Sequence, residues 1–353
     1  MSLLDPGSRR ADRGARAAEL RRRRIGLGAG LGLVLVVVVV IVGGGLGGRA
    51  SPGVAVGPHA VGAGAAAPVA RRVRVSPIGS LATPVQDPAA AAIGSDRVAL
   101  LGGLDRSARS TAAVLELSAG RPAARGALPA AQHDAQAATL GGAVYVFGGG
   151  DLASYDHILR YDPPTAAVSA AGRLPSPASD VAVAELGGTA YVVGGYDGRL
   201  ALDTIVAWRP GGPARVVGHL PTAVRYAAVA AVAGKLVIAG GSEGVGASDA
   251  IESFDPSTGA VTRIGRLPGR LTHAGAATLG SVVYLVGGRG PSADTPVARI
   301  LSIDPADGRV RRVGRLPKPL SDAAVVAAGD HLVVAGGRSG GAAQSAVYAV
   351  RPS

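Results

Sequence analysis

Six pairs of adjacent glycines punctuate this 353-residue chain at nearly even intervals, each closing a short apolar run. They are Gly102-Gly103, Gly148-Gly149, Gly194-Gly195, Gly240-Gly241, Gly287-Gly288 and Gly336-Gly337, with successive spacings of 46, 46, 46, 47 and 49 residues. A fixed period of this length, built from short strands, means one small sheet per repeat. Such a sheet buries its faces only against its neighbours, and this predicts an all-β propeller of six blades.

Alignment on the Leu-Pro pairs resolves each unit. Leu128-Pro129, Leu174-Pro175, Leu220-Pro221, Leu267-Pro268 and Leu316-Pro317 open five units, and Leu81 stands in for the first. A strand of small residues follows, as in Ala135–Leu140 and Ala182–Leu186. Next come tight turns at Gly141-Gly142, Gly187-Gly188, Gly234-Lys235, Gly280-Ser281 and Gly329-Asp330, fitting hairpins that need positive φ. A second strand runs into the diglycine, and a third ends in Asp-Pro turns at Asp162, Asp255 and Asp304. A fourth, such as Val310–Val313, leads to the next Leu-Pro.

With Tyr145, Tyr191 and Tyr284 preceding three of the diglycines, residues 71–353 resemble the kelch family of propellers. Val168, Val261 and Val310 occupy the fourth-strand place where kelch repeats commonly carry tryptophan. The last unit stops after its third strand, Ser345–Val350, and the segment Arg72–Pro77 stands where a fourth strand belongs. The expectation is a ring closed by its own N-terminal strand, leaving no open edge.

The chain begins differently. Residues 1–24 carry eight arginines against three acids and read as a basic cytoplasmic segment. Ile25–Gly48 is free of charge for 24 residues, long enough to cross a bilayer as a helix. In lipid a lone valine-rich strand leaves its backbone unpaired, so the helix prevails there. The cluster Arg21–Arg24 keeps the N-terminus inside. A cleaved signal peptide is the rival reading, but its apolar core is shorter and Gly48-Arg49-Ala50 is a poor cleavage site. The expectation is therefore a single-pass signal anchor in the cytoplasmic membrane, a Gly/Ala/Pro-rich linker over 49–70, and an extracytoplasmic propeller.

Composition narrows the chemistry. There is no cysteine, which removes disulfides, thiolate metal sites and cysteine nucleophiles. It also excludes the Cys-linked tyrosine chemistry of galactose oxidase, which shares the kelch propeller. Residues 71–353 hold 27 basic and 21 acidic residues without long basic runs, so nucleic acid is not an expected partner. Gly240–Gly244 and Gly337–Gly341 match GxSxG, but in antiparallel blade loops rather than at a strand-to-helix elbow. No cofactor, no metal motif and no catalytic constellation is expected.

Strand directions place two loops of every unit on one face: the loop into the first strand and the loop after the diglycine. At the first of these stand Asp87, Asp134, Asp180, Tyr226, His273 and Asp322, preceded by Gln86, His133, Ser179, Arg225, Thr272 and Ser321. They should surround the mouth of the axial channel. Repeated aspartate at one register reads most simply as an acid bonding the amides of its own loop. Arg225, Tyr226 and His273 break that register, and departures from a repeat are where specificity can sit. The candidate ligand site is thus His133, Asp134, Asp180, Arg225, Tyr226, His273 and Asp322. The first functional reading is a non-enzymatic module that binds a protein or cell-envelope ligand. The alternative comes from relatives that epimerise sugar acids, with Arg225, Tyr226 and His273 as anion clamp, polar contact and acid/base.

Overall fold

The computed structural model describes residues 72–244, 246–290, 292 and 295–353. The basic segment 1–24, the span 25–48 and the linker 49–70 lie outside the described residues. Among the described residues no helix is long and apolar enough to cross a membrane. Six antiparallel sheets form six blades. In blade 3, Ala182–Leu186, Thr189–Val193, Thr204–Trp208 and Arg215–His219 pair in that order, and the other blades repeat the scheme.

Blade 6 is closed as the sequence predicts. Val73–Val85 pairs antiparallel with Ala342–Pro352, with Val75 opposite Val350, outside the hairpin of Ala324–Ala328 and His331–Ala335. The closing strand is longer than Arg72–Pro77, since its pairing continues past an irregularity near Gly79.

The core is divided among the six gaps between blades. Each gap holds its own apolar cluster, and the one between blades 6 and 1 joins Val333 and Val347 to Val98, Leu100 and Leu117. The unit-starting leucines, including Leu81, are all buried. Burying one is worth about 1.5–3 kcal/mol, which accounts for leucine at that register in every blade. Val168, Val261 and Val310 pack on the outer parts of these clusters. The single tryptophan sits instead on a third strand: Trp208 packs its indole against Tyr145 at 4.8 Å and Phe147 at 5.6 Å in the adjacent blade.

Four of the five hairpin turns fall where the sequence puts them. The fifth is one residue earlier, at Ala233-Gly234, with φ of 49° and 76°. Lys235 is already paired with Val232, so the two-residue turn must precede it.

Candidate functional site

The six residues that lead into the innermost strands share one unusual backbone conformation. Asp87, Asp134, Asp180, Tyr226, His273 and Asp322 have φ between 52° and 59°. The left-handed region is unfavourable for residues with a Cβ, least so for Asp and Asn. Here it turns five of the six amides sideways toward the neighbouring blade. Asp180 N donates to Asp134 O at 2.9 Å, Tyr226 N to Asp180 O at 2.9 Å and His273 N to Tyr226 O at 3.3 Å. Asp322 N then donates to His273 O at 3.1 Å and Asp87 N to Asp322 O at 2.9 Å. The preceding residues, Gln86 to Ser321, each bridge to the residue following the diglycine of the same blade. Both loops of every unit are thereby locked around the axis.

The aspartate register therefore has a different cause from the one the sequence suggests. The ring aspartates do not cap their own loops. Tyr226 Oη donates to Asp134 Oδ2 at 3.0 Å across the ring, Arg225 donates to Asp180, and Ser321 Oγ to Asp322. Local capping belongs to the aspartates after the diglycines. Asp105 accepts from Ser107 N at 2.7 Å, and Asp197 accepts from Arg199 N and Leu200 N at 2.7 Å each.

The ring carboxyls are crowded into pairs. Asp87 lies beside Asp322 and Asp134 beside Asp180, so each carboxyl feels a like charge as well as burial. Burial pushes Asp87 well above the ordinary carboxylate range, with the charges of Asp322 and Asp134 adding to it. Burial likewise raises Asp134, reinforced by Asp180 and opposed by the Tyr226 hydroxyl. Asp322 is raised by burial, against the lowering effect of Ser321 and Arg289.

Two positively charged side chains hold the other half of the ring. Burial works against the Arg225 guanidinium, but Asp180 and Tyr226 keep it firmly protonated. It lies over the Tyr196 ring at 4.2 Å, a cation–π contact. Arg289 Nη2 stands 2.7 Å from His273 Nε2. An arginine only donates, so Nε2 is the bare nitrogen and Nδ1–H points to Thr272 Oγ1 at 2.9 Å. Burial, then Arg289 and Arg225, hold the imidazole neutral, with a pKa of about 2. Its 3.7 Å approach to Asp322 is therefore not an ion pair. His133 sits further out: Nδ1 meets Ser110 Oγ at 2.9 Å, and Ser110 also donates to Asp151 at 2.7 Å. Burial lowers its pKa too.

All seven predicted residues therefore come together around one axis. Tyr196, Arg289 and Thr272 were legible as members of the same face, but not as the partners of Arg225 and His273. Ser110 and Ser154 were not singled out. Their roles depend on which loop lies beside them in the next blade, and a single repeat carries no sign of that. Behind the ring, a cavity of about 440 Å³ runs between the innermost strands. Its walls are mostly alanine and valine, and Asp87, Tyr226, His273 and Asp322 stand at the ring end. Ser242 Oγ is hydrogen-bonded to Thr272 Oγ1 at 2.9 Å on a short antiparallel pair, which is no nucleophile elbow. Among the described residues no cluster of His, Asp and Glu is arranged to hold a metal ion.

The Kelch motif family model matches residues 223–268, one repeat unit running from the loop before Arg225 to Leu267-Pro268. That unit is one of six closed in a ring, so the chain is a six-bladed β-propeller that carries a Kelch motif. Among solved structures, one titled "Structure of YjhT" superposes with a TM-score of 0.67 at 17% identity, covering 76% of this chain and 95% of that one. At that identity the likeness is one of fold. No curated protein matches the sequence.

Proposed function

We propose that this propeller is a binding module, held outside the cytoplasmic membrane by residues 25–48, whose ring-and-loop face takes a protein partner. One observation carries the reading. Leu152 and Leu200 are 100% and 70% exposed, the two most exposed large apolar side chains among the described residues. They stand on the post-diglycine loops of adjacent blades, which are joined where Ser154 Oγ donates to Tyr196 O at 3.0 Å. Two leucines on loops fixed against each other, with Arg225 stacked on Tyr196 nearby, have the makeup of an interface anchor with a polar rim.

The sugar-acid reading draws less support from the geometry. Both His273 nitrogens are engaged, and a group with a pKa of about 2 takes no proton near neutrality. Arg225 is already committed to Asp180 and offers no free anion clamp.

The chain has no native cysteine, so Leu152→Cys carries a unique photo-crosslinker. The expected result is a discrete protein adduct in membranes of the native cell, lost when Leu200→Asp is added. The same adducts from a probe at Val216, on the outer edge of blade 3, would overturn the assignment of this face.

A further inference from the structure

The fourth strands of blades 2, 3 and 4 carry a basic residue that meets an acid at a fixed place. Arg173 donates to Asp156 at 2.8 Å, His219 lies 3.2 Å from Asp203, and Arg266 donates to Asp249 at 3.0 Å. That acid is marked by its backbone: in blades 2 and 3 its carbonyl accepts the amide of the unit-starting leucine, Leu174 or Leu220, at 2.7 Å. In blade 5 the residue accepting from Leu316 at 2.7 Å is Ala298. Arg315 has lost its acid, and the residue directly opposite it across the ladder is Arg299. At the seam of blade 6 the same thing happens again, with Arg74 directly opposite Arg351.

Like charges opposed across an antiparallel pair destabilise it, so two such pairs on neighbouring edges call for an external counter-charge. Arg72, Arg74, Arg311, Arg312, Arg315 and Arg351 are all exposed. No ion pair engages any of them among the described residues. Of the bordering acids, Asp307 is paired with Arg309 at 3.1 Å, and Asp330, hydrogen-bonded to His331 at 2.9 Å, is the carboxylate that feels the charge of Arg351. The two edges are contiguous, since a Cβ on Gly314 would stand 2.4 Å from Val73 Cγ2.

This basic edge lies where the chain enters the propeller. Arg72, Arg74 and Arg351 stand at the hairpin end of blade 6, beside Gly329-Asp330, whereas Arg299 and Arg315 stand at the diglycine end of blade 5, where Arg299 O accepts from Gly287 N at 3.1 Å. Only residues 49–71 separate Arg72 from the uncharged stretch Ile25–Gly48. A tether so short keeps the arginines at high effective concentration near its attachment point, so a weak affinity suffices.

We propose that the arginine-bearing outer edge of blades 5 and 6 docks on an anionic lipid bilayer. Guanidinium groups bind phosphate in a planar, two-pronged fashion, and an anionic leaflet supplies phosphates in the density that the six arginines need. The inference rests on the membrane anchorage proposed above.

The test uses the full chain reconstituted in vesicles of phosphatidylcholine alone or with phosphatidylglycerol. A fluorophore on Ser353→Cys, next to Arg72, is read against spin-labelled lipid headgroups, with Leu152→Cys on blade 2 as the control. The expected result is at least about twofold more quenching at position 353 in the anionic vesicles, suppressed by salt and absent at position 152. Arg74→Gln with Arg315→Gln should abolish the difference while leaving the urea midpoint unchanged or higher, because each substitution removes one opposed pair. A chain that fails to float with either vesicle would overturn the anchorage and the docking together. A chain that floats, with equal quenching in both lipids or with quenching unaffected by the double substitution, would overturn the docking alone.

Discussion

Tyr226 stacks on His273 with ring centroids 3.7 Å apart and 23° between planes, so residues from two adjacent blades fill one side of the axial ring. The tyrosine also reaches across to Asp134, which lies two blades away. Tyr226→Phe keeps the stack and removes that hydrogen bond. The expected loss is about 1 kcal/mol, seen as a lower urea midpoint. Trp208 is 1% exposed and alone in the chain, so its fluorescence reports unfolding cleanly. An unchanged midpoint would show that the cross-ring bond contributes nothing.

The ring also sets two opposing pH dependences. Asp87 and Asp134 have folded pKa values raised above the ordinary 3.8, so above that value the native state holds protons the unfolded chain has released. Stability from these groups is full below the unfolded value and is lost as pH rises through the folded one. His273 does the reverse. It is held at about 2 against 6.5 in the unfolded chain, so its contribution is present above 6.5 and lost as pH falls toward 2. Asp87→Asn should flatten the decline on the alkaline side, and His273→Asn the decline on the acid side. Asn tolerates the positive φ at both places. Urea midpoints over about pH 4 to 9 check both slopes.

Glycine is required for different reasons in the turns and in the diglycines. Gly141 has φ of 58° but nothing within 4 Å of an added Cβ, so Gly141→Ala should cost only the left-handed penalty of about 1–2 kcal/mol. At Gly148, with φ of 60°, a Cβ would sit 2.0 Å from Ala178 O, the carbonyl that accepts from Gly149 N. Gly148→Ala should therefore cost about 1–3 kcal/mol beyond the same penalty, because backbone must move. Equal melting temperatures for the two variants would contradict this.

Removal of residues 72–79 from the chain should bare the edge of Ala342–Pro352 and strip Val73 and Val75 from the cluster between blades 5 and 6. The expected outcome is a lower melting temperature with aggregation, followed by light scattering during a thermal ramp. A deletion variant that melts like the parent would mean that blade 6 does not depend on its outer strand.

The blade count and the strand order were legible because the unit-starting leucine and the diglycine recur in all six units and Asp-Pro in three, and the closing strand because the last unit lacks a fourth strand of its own. Leucine at the unit start, glycine at the diglycine and Asp-Pro at the outer turn each satisfy one backbone or packing need. The position of the candidate ring was legible for the same reason. Its bonding was not. Asp134 is fixed by Tyr226, 92 residues later in the chain, and His273 by an arginine on the next loop. Nor does Ala233 look like a turn residue, yet it takes φ of 49° because the pairing of Val232 with Lys235 leaves it no other place. Such features depend on the completed ring, and single units do not encode them.

The pairing of Val75 with Val350 has a consequence for how the protein is made. The outermost strand of blade 6 leaves the ribosome first and its partner last. At about 5–20 residues per second, the wait between them is roughly 15–55 s. Five blades have their strands in hand before the sixth can be assembled, so completion of the domain waits for the strand Ala342–Pro352 to emerge. A nascent chain cut short anywhere before the last strand carries an orphaned leading segment, a ready mark for quality control.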